Sequence, residues 1–241
     1  MIEMMKKQII DYLKYLKTPL DITDSKEWKP KEIEVLKNYQ NLAPKLFNDL
    51  KSDNCLTFED VFPTRSVEAL DERLRQNERF VKFTRIASNI SNNLPKSSMI
   101  LGAEEQWTIF LSLYLSQCEQ IKSLFEDYIL KVNRRLPEKK RECLKSFVTL
   151  GPLISVLKKY KSGKYAHLFT EIDVDLRNAV AHLKYDFVDD EVGYGKNKRI
   201  TTHNLIFKYR MISALLAILF GNKTKAFAKE FEELAREKGA I

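Results

Sequence analysis

Arginine and histidine stand five positions apart in Leu-Arg-Asn-Ala-Val-Ala-His, residues 176–182, of a chain with three histidines in all. The two side chains suit complementary tasks. Histidine titrates near neutrality and can take up or deliver a proton. Arginine keeps its charge and presents a planar fork of donors that fits phosphate oxygens. Asn178 can orient either group, and a mid-helix asparagine otherwise competes with the backbone for hydrogen bonds. Arg177, Asn178 and His182 are therefore candidates for chemistry at a phosphate. Helical residues five apart differ by about 140° around the axis, so Arg177 and His182 flank a groove rather than stack.

A helix must position them, and helices are expected nearly throughout. Only seven glycines and seven prolines punctuate 241 residues, and apolar residues recur at spacings of three and four. The expected class is all-α, a multi-helix bundle, with helices near 2–16, 31–51, 66–91, 103–134, 138–160, 165–183, 202–220 and 223–238. Pro19, Pro30, Pro63, Pro95 and Pro137 fall between these segments, where a missing N–H does no harm. Asp173 and Asp175 mark a kink or break before Leu176, and Thr201 or Thr202 can cap the helix that follows. The least helical stretch, Tyr185–Ile200, permits a short hairpin or extended loop. Polar Ser91–Met99, around Pro95, is the expected linker between an N-terminal helical region, residues 1–95, and a helical domain, residues 96–241.

The net charge is +8, with a pI of about 9.2. Most of the basic excess lies after residue 100, which is compatible with a polyanionic partner. Cys55, Cys118 and Cys143 are odd in number and form no CxxC pair, so they read as small buried side chains in a reducing compartment. No cofactor or metal is expected. Lys161–His167 lacks the glycine and Ser/Thr of a phosphate loop, and Gly193 and Gly195 lack the third glycine of a dinucleotide fingerprint. The Asp173–Asp175 and Asp189–Glu191 carboxylates lack the Gly-Ser turn with which nucleotidyltransferases accompany theirs. Glu3 and Asp11 break the N-terminal apolar pattern into an amphipathic helix, and the apolar run Met211–Phe220 is half the roughly 20 residues that a membrane span needs. A cytoplasmic protein with no membrane association is expected. His167 reads as a packed residue and His203 as a helix-start residue.

The heptapeptide as a whole resembles the shared mark of the HEPN superfamily, helical domains in which an arginine, usually followed by a polar residue, precedes a histidine by four to six positions. Leu111–Ile129, Ser146–Tyr160 and Asn204–Phe220 resemble that fold's long early helix, the next helix and the apolar helix after the motif, so the resemblance covers roughly residues 103–220. It implies a HEPN-like C-terminal domain and a metal-independent endoribonuclease that cleaves RNA through its own 2′-hydroxyl. Arg177 would bind the scissile phosphate, His182 transfer protons and Asn178 orient them. It further implies a homodimer joined through the motif helix, whose alanines permit close approach, an acidic residue facing Arg177, with Glu119 the first candidate and Glu126 or Asp127 the alternatives, and a toxin or defence-like setting.

A toxin subgroup carries tyrosine two residues after the histidine. Here Lys184 fills that position and Tyr185 follows, a catalytic candidate that lies near His182 if the helix continues. Candidate RNA contacts are Lys184, then Lys196, Lys198 and Arg199 of the loop, and Arg134 and Arg135 of the basic run Arg134–Arg141. The alternative reading is a helical adaptor or scaffold that binds a nucleotide or RNA in the same pocket without turnover, with residues 1–95 offering a surface to a protein partner.

Overall fold

The computed structural model describes residues 10–11, 13–14, 28–62, 102–144, 148–189, 191–237 and 239. Among them are eight α-helices: α1 Pro30–Ser52, α2 Phe58–Val61, α3 Ala103–Phe125, α4 Ile129–Arg135, α5 Leu150–Lys159, α6 Val174–Ala181, α7 Thr202–Lys225 and α8 Ala228–Glu237. Between α6 and α7 lies an antiparallel sheet of β1 Tyr185–Val188, β2 Glu191–Tyr194 and β3 Lys198–Thr201, in that spatial order. The protein is thus mostly helical, and the stretch expected to be a hairpin or loop is a three-stranded meander. The expected helix near 66–91 and the linker Ser91–Met99 lie outside the described residues, as does most of the helix near 2–16.

The most apolar segment becomes the central helix. α7 is buried on several sides at once, through Leu205, Tyr209, Ile212, Leu215, Leu216 and Leu219, because α1 packs on one flank and α3 on another. A helix apolar all round must be covered all round. By length and composition α7 could cross a membrane, and 56% of its apolar window is buried within the protein. Thr201 caps its start, accepting the Asn204 N–H at 3.3 Å. Near its end, Lys223 Nζ donates to the Leu124 carbonyl at 3.2 Å, satisfying an otherwise orphaned group in the last turn of α3. Arg210 of α7 pairs with Glu32 of α1 at 2.9 Å and lies over the Trp28 ring at 4.7 Å. Residues 30–62 therefore share one apolar core with residues 102–237.

Three expected helices are shorter than their apolar period suggests. The segment 103–134 breaks after Phe125, where Tyr128 leaves the helical region (φ −122°, ψ 1°) and both rings are buried, edge to face at 5.7 Å. In segment 138–160 the described residues hold a 3₁₀ turn at Glu138–Lys140, a non-helical stretch at Arg141–Leu144 and α5 from Leu150. Upstream, the Asn133 amide pairs both ways with the Glu142 backbone, at 2.9 and 3.0 Å, a local competitor of helical hydrogen bonding. Segment 165–183 reduces to a 3₁₀ turn at Ala166–Phe169 and to α6. α7, in contrast, runs on to Lys225.

After α5 the chain makes a left-handed turn. Lys161 (φ 47°), Ser162 (φ 57°) and Gly163 (φ 90°) follow one another, and each non-glycine residue there costs roughly 1–2 kcal/mol. Two carboxylates near the C-terminal end of α1 hold the turn in place. Asp53 accepts Tyr160 Oη at 2.7 Å and Lys161 Nζ at 2.9 Å. Asp49 accepts Lys164 Nζ at 3.0 Å and the Tyr165 hydroxyl. Burial pushes both carboxyls up, but these donors outweigh it and hold each below the ordinary 3.8.

A carboxyl depressed in the folded state contributes stability that is present above its unfolded pKa and lost as pH falls through the folded one. Replacing Asp49 and Asp53 by Asn should therefore lower stability at pH 6 by about 1 kcal/mol and flatten the loss below about pH 4, measured as urea midpoints across the acid range. An acid limb as steep as the parent's would show that these two groups do not anchor the turn.

Candidate active site

α6 begins where it does because of Asp173. Its Oδ1 accepts the N–H groups of Asp175 at 3.1 Å and Leu176 at 3.0 Å, an N-cap that satisfies two orphan donors. Its Oδ2 accepts the Tyr194 hydroxyl of β2 at 2.7 Å. Tyr114 of α3 holds the same residue by its backbone, accepting the Asp173 N–H at 2.8 Å and donating to its carbonyl at 3.1 Å. Burial pushes both phenols up, and for Tyr194 the bond to Asp173 adds to it. Both stay hydroxyl donors at neutral pH. Three elements meet at one residue, which fixes the start and the rotation of the helix.

That rotation turns Leu176, Ala179 and Val180 to the core and sorts the motif onto two flanks. Arg177 faces α3. Its Nε donates to Glu119 Oε1 at 2.7 Å, its Nη2 donates to the same oxygen, and its Nη1 donates to Asn178 Oδ1 at 2.9 Å. The Arg177 side chain is only 19% exposed. The structure thus brings Glu119 and Arg177 together, while Asp173, one turn earlier, is taken up by capping.

His182 lies on the other flank. It is exposed and, with Asn178, borders an open cleft of about 450 Å³. Lys184 enters from beyond the helix, and Lys196 and Lys198 from the sheet. Asp175 also lines the cleft and pairs with Lys198 at 2.5 Å. Arg177, Glu119 and Tyr185 are not part of its wall. Asn178 links the halves, because its Oδ1 holds Arg177 while its side chain borders the cleft.

Turn geometry explains which neighbours reach the cleft. The Leu183 N–H bonds the Val180 carbonyl at 3.2 Å and the Lys184 N–H the Ala179 carbonyl at 2.8 Å, a Schellman ending that needs a left-handed residue at position 183. Leu183 adopts it, at φ 52°. The helix therefore stops, and Tyr185 opens β1 instead of continuing the His182 face. Its ring meets Phe187 edge-on at 5.6 Å. Gly195 and Asn197, at φ 58° and 59°, form the tight turn that carries Lys196. Tyr194 and Lys198 are register partners on the face toward α6, so Arg199 falls on the opposite face, where it pairs with Glu191 at 3.6 Å.

Other candidates lie elsewhere. Arg134 and Arg135 close α4, and Arg135 Nη2 donates to the Asp53 carbonyl at 2.6 Å. His167 is exposed rather than packed, and His203 is exposed in the first turn of α7. Ala179 is buried within its own chain, leaving Ala181 as the open alanine of the motif. Cys55 and Cys118 are buried, and burial pushes the Cys118 thiol up to about 12. Cys143 is exposed, contrary to the expectation of a small buried side chain. Among the described residues no three His, Cys, Asp or Glu side chains are grouped to hold a metal. Sequence reasoning missed Tyr114 and Tyr194, and it read Asp175 as part of a helix break and a carboxylate pair but not as a wall of the cleft. The one signal for the two tyrosines was an aspartate, Asp173, placed where a helix could start.

Leu183 is both left-handed and 80% exposed, so in the isolated chain its side chain brings strain with little burial to offset it. Leu183→Gly should stabilise the protein by roughly 0.5–1 kcal/mol, about 2 °C in the unfolding midpoint. A lower midpoint by calorimetry would mean that the leucine side chain is held by contacts that offset its backbone.

No protein family, curated protein sequence or solved structure matches the chain.

Proposed function

We propose that the chain is a metal-independent endoribonuclease of the HEPN type, built from a HEPN-like domain and acting as a homodimer. The observation that carries this reading is the placement of His182 and Asn178 at the mouth of an open cleft that three lysines and one aspartate also line, with an anchored arginine one residue from Asn178. A cleft of that composition suits an RNA backbone.

In this reading His182 takes the proton from a ribose 2′-hydroxyl or delivers one to the leaving 5′-oxygen. As the 2′-oxygen bonds to phosphorus, the bond to the 5′-oxygen breaks, leaving a cyclic phosphate and a free 5′-hydroxyl. Arg177 stabilises charge on the non-bridging oxygens, Asn178 orients the reacting groups, and Glu119 is a positioning residue that aims the guanidinium. Arg177 and His182 occupy opposite flanks of one helix. A two-fold pairing that sets one copy's arginine flank beside the other's cleft would complete each site. Ala181 and Leu183, both exposed at this end of the helix, suit that contact.

A specific observation favours a second reading, binding of nucleotide or RNA without turnover. Arg177 already directs Nε and Nη2 to Glu119 and Nη1 to Asn178, which leaves little of the fork for a phosphate.

Incubating the purified chain with mixed RNA in excess chelator separates the two. The nuclease reading expects cleavage that falls at least about 100-fold in His182→Ala and that ends in 2′,3′-cyclic phosphates. Stabilisation by nucleotides with no cleavage would support the second reading. Cleavage that survives the substitution, or that requires magnesium, would overturn the first.

A further inference from the structure

Away from the motif, a recess of about 200 Å³ lies between the end of α4 and the left-handed turn after α5. Arg135 and Lys140 line it from the first side, Lys159 and Lys161 from the second, and Asp53, Tyr160 and Ser162 complete the polar lining. Four cations thus border a small space beside a single carboxylate. Their charge is only partly met from within. Asp53 takes Lys161 and the Tyr160 hydroxyl, Glu142, outside the lining, takes Lys159, and the Asp53 backbone carbonyl takes Arg135. The Lys140 ammonium has no acceptor among the described residues.

We propose that this recess is a binding site for a phosphate monoester, the doubly charged terminal phosphate of a free nucleotide or of an RNA 5′ end. Charge is the first argument, since a monoester carries about −1.5 to −2 near neutrality and a bridging diester only −1. Size is the second. Pockets that enclose whole small ligands run to about 300–1,000 Å³, so this one suits a phosphate with part of its sugar and leaves the rest outside. Donor chemistry is the third, a guanidinium fork with three ammonium groups being a set that meets three terminal oxygens at once. Shape is the fourth, because the consecutive left-handed residues Lys161 and Ser162 fold the chain back so that Lys159 and Lys161 both border the recess. The recess shares no lining residue with the His182 cleft, and the proposal stands apart from the nuclease reading.

The test uses the full chain, titrated by calorimetry with inorganic phosphate at constant ionic strength, with chloride as the control. AMP is then compared with adenosine, and a 5′-phosphorylated trinucleotide with its 5′-hydroxyl form. Saturable phosphate binding is expected, with AMP and the phosphorylated trinucleotide bound and their unphosphorylated counterparts at least about tenfold weaker. Tighter binding of AMP would identify the free nucleotide as the source, and tighter binding of the trinucleotide the RNA end.

Lys140→Glu should weaken phosphate binding at least about tenfold. Lys140 holds no other group, so the variant leaves the fold's own bonds in place. Lys184→Glu, in the other cleft, should leave the affinity unchanged. Phosphate heats no different from chloride, or affinity lost in Lys184→Glu and kept in Lys140→Glu, would overturn the assignment.

Discussion

The arrangement of the candidate site depends on the carboxylate of Asp173. One oxygen caps α6 and the other accepts a phenol from the sheet, while the residue's own backbone is held by a phenol from α3. A cap typically contributes about 1 kcal/mol, but its geometric effect is larger than its energy. It sets the residue at which an eight-residue helix starts, and so which side chain each neighbour meets. Were the helix to begin one residue later with the same contacts, every position would turn by about 100°, and Arg177 would no longer face Glu119.

Because α6 is short, a small number of side chains divides among three directions. Leu176 and Val180 bury, Arg177 meets α3, and Asn178 and His182 reach the open side with Asp175. The charges are segregated in the same way. Glu119 answers the arginine on one flank, and on the other Asp175 answers Lys198 while Lys184 and Lys196 stay exposed. The cationic surface therefore gathers on the histidine side, supplied mostly by residues outside the helix that carries the motif.

Much of this was legible in the sequence where causes are local. Pro30 at the first position of α1, Thr201 as the cap of α7 and the apolar period of α3 can all be read from neighbouring residues. Helical geometry separates Arg177 from His182, but the groove expected between them is not what the structure holds, because Arg177 turns to Glu119 and lies off the cleft that His182 borders. Pairing of Arg177 with Glu119 was suggested only by resemblance, since nothing in the spacing selects one acidic residue of α3 over another. The breaks were illegible for a different reason. No proline or glycine interrupts Glu126–Tyr128, and the departure there comes with the burial of two aromatic rings. The non-helical stretch at Arg141–Leu144 is held by an asparagine amide nine residues before Glu142. Tyr114 and Tyr194 are buried like the core aromatics around them. Only their hydroxyls distinguish them.

One pairing recurs at the structurally constrained points of the molecule. Asp49 is met by Tyr165 and Lys164, Asp53 by Tyr160 and Lys161, and Asp173 by Tyr194, with Lys198 two residues along at Asp175. In each case a phenol supplies a neutral hydrogen bond, so the carboxylate is satisfied without a second cation. The arrangement has an electrostatic consequence. A carboxylate bonded to two lysines would neutralise one charge and fix two side chains, whereas one bonded to a tyrosine and a lysine leaves further lysines uncommitted. Lys140 and Lys184 are such residues, each beside a left-handed turn held by these aspartates or by the helix they cap. Backbone strain and uncommitted lysine charge therefore coincide at the recess after α5 and at the His182 cleft, and at the first of these the aspartate that holds the strained turn leaves Lys140 available to an anion from outside.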